Sequence, residues 1–195
     1  MIEFIVQTRL KGWEMGPAAF RRAARLLAPE CLPGMTEGEI SISFLSALKM
    51  AQINESYLGH SGPTDVITFD YSIPCSEPNR PIASRGNIPA PVSHFVAGEI
   101  LICPEVAAAQ GSAYGTGWKL EVLRYLAHGL LHLAGHDDQE PLARRAMKLA
   151  EDAAVKRITA ELSPGWDAPA RARPKRGKLQ ILGSSADVPL KYEPS

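Results

Sequence analysis

The feature that most constrains this chain is the apolar run from Trp118 to Ala134, closed by His128-Gly129-Leu130-Leu131-His132-Leu133-Ala134-Gly135-His136-Asp137-Asp138. Leu120, Val122, Leu123, Leu126, Ala127, Leu130, Leu131 and Leu133 recur at helical spacing, so the run reads as a largely buried helix. Three of the chain's five histidines and two carboxylates fall in the closing stretch. Imidazoles and carboxylates are costly on a buried apolar segment unless something pairs with them. A divalent metal ion is a partner that satisfies all of them at once.

His128 and His132 are four apart and so lie one turn above each other on one helix face, the spacing with which two imidazoles grip one ion. Gly135 follows the last periodic residue, where helices commonly end in a left-handed turn. If the helix ran straight on, His136 would lie about 12 Å along the axis from His128. Ligand bonds near 2.1 Å make that a poor third grip. A break at Gly135 instead brings Asp138 round, and His-x-x-x-His-x-x-Gly-x-x-Asp is similar to the metzincin ligand spacing with a carboxylate third. Asp138 is the expected third ligand, with His136 the alternative. In a His-Glu-x-x-His peptidase the general base directly follows the first histidine. Here Gly129 occupies that position, which argues against peptide hydrolysis.

The remaining chain alternates strand and helix signals. Ile2–Leu10, Glu39–Phe44, Asp65–Tyr71 and Phe95–Cys103 read as strands. Helices are expected over Pro17–Leu27, Ser46–Tyr57, Glu105–Gln110 and Glu140–Leu162, the last rich in alanine. This pattern predicts an α+β (α/β) fold, a small mixed sheet packed with helices, with the metal site at the end of a central helix. The domain is expected to span residues 1–162 and to contain a proline-rich insertion over 72–94. Residues 163–195 read as a basic, proline-rich and disordered tail.

Lys and Arg total 21 against 21 Asp and Glu, so no overall basic field announces nucleic acid. The balance hides a local run, Arg171, Arg173, Lys175, Arg176 and Lys178, with no acidic residue between its members. Such an arm could add salt-dependent affinity for RNA phosphates, the alternative being an ordinary solvated tail. Three cysteines without Cys-x-x-Cys spacing suit a reducing cytoplasm, and Cys103 reads as a small buried residue. The N-terminus shows no signal-peptide pattern and no apolar run approaches a membrane span, so no membrane partner is expected.

Three further blocks accompany the histidine motif: Asn54-Glu55-Ser56-Tyr57-Leu58-Gly59, Gly62-Pro63-Thr64-Asp65-Val66-Ile67-Thr68-Phe69, and Gly98-Glu99-Ile100-Leu101-Ile102-Cys103-Pro104-Glu105-Val106-Ala107. In this order and spacing the four blocks resemble the YbeY family of bacterial rRNA maturation factors, over roughly residues 1–160. The resemblance implies a single-strand-specific, metal-dependent endoribonuclease acting in small-subunit rRNA 3′-end processing. It also implies one Zn2+ per chain, at the positions of His128, His132 and Asp138. Partners would be rRNA, the small ribosomal subunit and ribosomal proteins.

Two positions depart from the family pattern. Asp138 stands where a histidine is usual, with His136 in place of a tyrosine, and aspartate also ligates zinc. Leu58 stands where an arginine is usual, and leucine cannot pair with phosphate oxygens. Lys119, Arg124 or a tail arginine are candidates to replace it. The ion would lower the pKa of a water and polarise a phosphoryl oxygen, so no strong side-chain base is required. Asp65 and Glu99 are candidates to orient that water. The alternatives are that Asp65 shapes the entry to its strand and Glu99 is a solvated strand residue. Asn54 and Thr64 are expected to fix loop geometry through bonds to nearby backbone. The competing function is a metal-stabilised ribosome-assembly factor with weak catalysis.

Overall fold

The structure, a computed structural model, describes residues 1–8, 10, 16–72 and 95–162. The basic run at Arg171, Arg173, Lys175 and Arg176 lies outside them, as do residues 163–195 and residues 73–94 of the insertion. In chain order the elements are β1 (Ile2–Thr8), α1 (Pro17–Cys31), β2 (Glu37–Phe44), α2 (Ala47–Leu58), β3 (Val66–Asp70), β4 (Phe95–Ile102), α3 (Pro104–Tyr114), α4 (Trp118–Leu133) and α5 (Pro141–Leu162).

The strands form one mixed sheet in the order β1-β2-β4-β3. β1 pairs parallel with β2, and β2 parallel with β4, through Ile40↔Gly98 and Ile42↔Ile100. β3 closes the edge antiparallel to β4, with Thr68 opposite Ile100. This is the α+β architecture that the element pattern anticipates.

Alternation along the strands sorts side chains between the two faces. Ile40, Ile42, Val96, Ile100 and Ile102 bury against Phe20 and Leu27 of α1 and Leu123, Leu126 and Leu130 of α4. Helix α5 covers α1 and α4 with Met147, Val155 and Ile158. On the other face Ile67, Phe69, Leu101 and Cys103 pack against Met50 of α2 in a smaller core.

Two helices run longer than periodicity suggests. α1 continues through Pro29 to Cys31 although a proline there lacks its amide. Its last turn is stabilised by burial: Cys31 and Leu32 are 0% and 2% exposed, and the Leu32 amide donates to the Ala28 carbonyl at 2.8 Å. α3 starts with Pro104 in its first turn, where a missing amide costs nothing, and runs to Tyr114.

Where α4 crosses the sheet at β3 and β4, Gly129 makes the close approach possible. A Cβ at that position would stand 2.8 Å from Ile100 Cγ2 and 3.0 Å from Thr68 Oγ1. Position 129 therefore faces the sheet. A carboxylate there would point into β3 and β4 rather than beside the two histidines. The missing peptidase base has a packing reason as well as a chemical one.

Candidate metal centre

The site is built at the C-terminal end of α4. Ala134 ends the helix, Gly135 takes φ +90°, and the chain turns back. The Gly135 amide donates to the His132 carbonyl at 2.9 Å and the His136 amide to the Leu131 carbonyl at 3.0 Å, the bond pair of a Schellman cap. A side chain at position 135 would strain this conformation, so glycine is what lets the chain return. Downstream, the Asp137 carboxylate accepts from the amides of Asp138 and Gln139 at 2.8 and 3.1 Å. Arg144 of α5 donates to the carbonyls of Asp138 and Gln139 at 2.8 and 2.9 Å. The returning loop is thus held from both ends.

Its result is convergence of His128, His132 and Asp138, with one ligand atom of each lying within 4.8 Å of the others. The Nε2 atoms of the histidines are 3.1 Å apart, and His128 Nε2 lies 3.7 Å from Asp138 Oδ2. Ligands on a tetrahedral ion with bonds of 2.0–2.1 Å stand about 3.4 Å from one another. Two of the spacings bracket that value. His136 contributes differently: its backbone carbonyl receives His132 Nδ1 at 3.0 Å, and its side chain is not part of the cluster.

His128 Nδ1 faces Glu151 Oε2 at 3.4 Å, and His132 Nδ1 faces a carbonyl oxygen. A carboxylate and a carbonyl can only accept, so each Nδ1 carries the proton and each Nε2 is left with a lone pair. Two lone pairs 3.1 Å apart repel unless a cation or proton lies between them. The donor set therefore fits a divalent ion.

The surrounding charges separate the two rings. Burial lowers the pKa of His128, but the Glu151 bond and the charges of Glu151, Asp65 and Asp138 outweigh it and the net shift is upward. Burial and the neighbouring His128 push His132 down. Burial also lowers His136. His132, 9% exposed, is the more enclosed of the two facing rings.

Asp65 is near enough for its charge to act on His128. Its Oδ1 accepts from Thr64 Oγ1 and from the Val66 amide, both at 2.9 Å, so it shapes the entry to β3. Asn54 donates to the Gly62 carbonyl at 2.9 Å and pins the same loop. Glu99 is not brought to the histidines. It projects from the opposite sheet face, where Ser43 Oγ and Tyr71 OH donate to its carboxylate at 3.5 and 3.4 Å. Leu58 is half-buried against the small core of Met50, Ile67 and Phe69. Arg124 is committed to Glu151, at 2.7 Å, and to Asp152 rather than free to meet a phosphate.

Glu151 is the residue that motif reading overlooked. It is 6% exposed and lies on the face of α5 that carries Met147, Ala154, Val155 and Ile158. The signal was present: an acidic side chain at a core position of an otherwise apolar helix stripe.

Comparison with known proteins bears on the same region. The family model described as endoribonuclease YbeY matches residues 18–159, which include the three converging residues and Glu151. The chain belongs to the YbeY family. A relative named endoribonuclease YbeY from Elusimicrobium minutum is 37% identical over 111 residues, covering 57% of this chain and 68% of the relative. One from Beutenbergia cavernae is 38% identical over 111 residues, with the same coverage. A solution structure from Thermotoga maritima shares 18% identity with a TM-score of 0.49, covering 89% of this chain and 100% of that one.

Proposed function

We propose that this YbeY-family chain is a zinc-dependent endoribonuclease that cleaves single-stranded RNA in rRNA 3′-end processing during ribosome maturation in the cytoplasm. The observation that carries the reading is the convergence of His128, His132 and Asp138 within a chain the YbeY model matches. A relative's name, endoribonuclease YbeY, supports RNA as the substrate class.

His128 and His132 would hold the ion through Nε2 and Asp138 through a carboxylate oxygen. When bound, a divalent ion supplies Lewis acidity toward a phosphodiester and a water of lowered pKa. The chain's own groups orient and exclude. Glu151 and the His136 carbonyl keep both Nδ1 atoms protonated, so both Nε2 lone pairs point inward. Asp138 brings one negative charge to the set, which offsets part of the ion's charge. Asp65, whose charge acts on His128, would orient a water through its carboxylate. The two histidines with the His136 carbonyl and Glu151 make a rigid wall, because all but His136 stand on packed helices.

A second reading is a metal-stabilised ribosome-assembly factor of low turnover. It is favoured by Leu58, which packs into the small core where the family resemblance expects an arginine, and by the engagement of Arg124 with two carboxylates.

Incubation of purified protein with single-stranded rRNA fragments, alongside His128→Ala, tests the proposal. Cleavage by the wild type that disappears in the variant is the expected result. Stoichiometric metal in the wild type with no cleavage above the variant would instead support the assembly factor.

A further inference from the structure

We propose that Glu151, itself held by Arg124, is a positioning residue for the metal site: it sets the tautomer and ring orientation of His128 so that Nε2 faces the ion. The inference rests on the reading of His128 as a ligand and adds two residues that the ligand motif does not contain.

The geometry is a relay between two helices. Arg124 and His128 stand one turn apart on α4, and Glu151 reaches between them from α5. One carboxylate oxygen, Oε1, receives Arg124 Nη1 at 2.7 Å. The other, Oε2, faces His128 Nδ1 at 3.4 Å. At 6% exposure the carboxylate is shielded from water, and a buried charge persists only where partners compensate it. Arg124 is that partner, and it is steadied in turn by Asp152. Because both oxygens of Glu151 are directed at donors on the same helix face, the carboxylate cannot rotate without losing one of them.

The consequence for His128 is chemical as well as steric. A ring whose Nδ1–H points at a carboxylate is a stronger donor through Nε2 than one hydrogen-bonded to a neutral acceptor. His132 provides the contrast inside the same site, since its Nδ1 points at the His136 backbone carbonyl at 3.0 Å. The two ligand rings are thus oriented by different devices. His128 depends on a side chain that mutation can remove, whereas His132 depends on backbone that mutation leaves in place.

The test is zinc affinity of the full-length protein, measured by competition with a chromophoric chelator, for wild type, Glu151→Gln and Arg157→Gln. Arg157 pairs with Glu30 and links α5 to α1 away from the histidines, so its loss reports only a general weakening of α5. Glu151→Gln keeps the volume and removes the charge. It is expected to weaken zinc binding about 10- to 100-fold, with an altered cobalt(II) visible spectrum and an unchanged far-ultraviolet dichroism spectrum. Arg157→Gln is expected to bind zinc like the wild type. Wild-type affinity and cobalt spectrum in Glu151→Gln would overturn the positioning role and leave the ligand assignment standing. Failure of the wild type itself to bind stoichiometric zinc would overturn both.

A second measurement stands even if Glu151→Gln does not fold. Nitrogen-15 long-range correlation spectra of the wild type report the protonated ring nitrogen of His128. The proton is expected on Nδ1, and finding it on Nε2 in the zinc-loaded protein would overturn the proposal.

Discussion

The two faces of the sheet have been put to different uses. On the α4 face the core is deep and dry: Phe20, Leu27, Ile40, Ile42, Ile100, Leu123, Leu126 and Leu130 are all less than 2% exposed. On the α2 face the smaller cluster of Met50, Ile67, Phe69, Leu101 and Cys103 is buried among the described residues. Beside that cluster lies an open groove of about 750 Å3, lined among others by Ser43, Lys49, Tyr57, Tyr71 and Glu99. Polar side chains occur on both faces, yet among the described residues the three that could share an ion stand at or just beyond the end of the well-packed helix. Ligand atoms must keep their mutual spacing to within tenths of an ångström, and a helix locked by a close-packed core holds them more precisely than an open surface does.

The largest effects are expected at the α4 end. His132→Ala removes the more enclosed ring while keeping a strong helix former. Metal affinity is expected to fall by more than the roughly 100-fold attributed to supporting groups, and RNA cleavage to disappear with it. Metal analysis of the dialysed variant checks this, and retention of one equivalent would remove His132 from the site. Next comes the pair Asp138→Ala and His136→Ala. The first is expected to lose most of the metal affinity, and the second much less, because position 136 serves through its backbone carbonyl. A reversed order in chelator competition would make the His136 imidazole the third ligand.

Stability measurements sharpen the contrast between faces. Met50→Ala opens a cavity in the small core and is expected to cost about 2–5 kcal/mol with zinc affinity unchanged. Gly129→Ala overpacks α4 against Ile100 and Thr68 and is expected to cost about 1–3 kcal/mol. Because it lifts α4, it should also weaken zinc binding. Denaturant midpoints of the apo proteins, followed by metal titration, separate the two; equal zinc affinities would show that α4 packing does not set the site. The smallest effect belongs to Glu99→Gln, which should leave metal content at the wild-type value because the sheet lies between Glu99 and the histidines.

Much of the site was legible in the chain because it is local. The i, i+4 histidines, the glycine stop and the carboxylate three residues later are separated by one helix turn and one cap, and both have strong sequence signatures. The strand and helix order followed from periodicity for the same reason. What escaped depends on tertiary placement. Alternation shows that Glu99 and Ile100 point to opposite faces but not which face α4 will cover, so Glu99 was a candidate that the sheet carries away. Glu151 lies 23 residues after His128 on another helix, and only the packing of α5 on α4 brings the two together. Arg124 looked like a free cation because its partners, Glu151 and Asp152, come from that same helix. Helix α1 runs past Leu27 through Pro29 because burial of its last turn outweighs the bond that the proline cannot make.

If an ion held by His128, His132 and Asp138 drives RNA cleavage, removing it must stop the reaction and restoring it must start it again. Full-length protein would be stripped with chelator, then titrated with zinc while cleavage of a single-stranded rRNA fragment is followed, beside His132→Ala. Stripping is expected to abolish cleavage, and wild-type activity to return and saturate at one equivalent, while the variant stays inactive throughout. Full cleavage by the stripped wild type, or equal recovery by His132→Ala, would contradict that role of the ion.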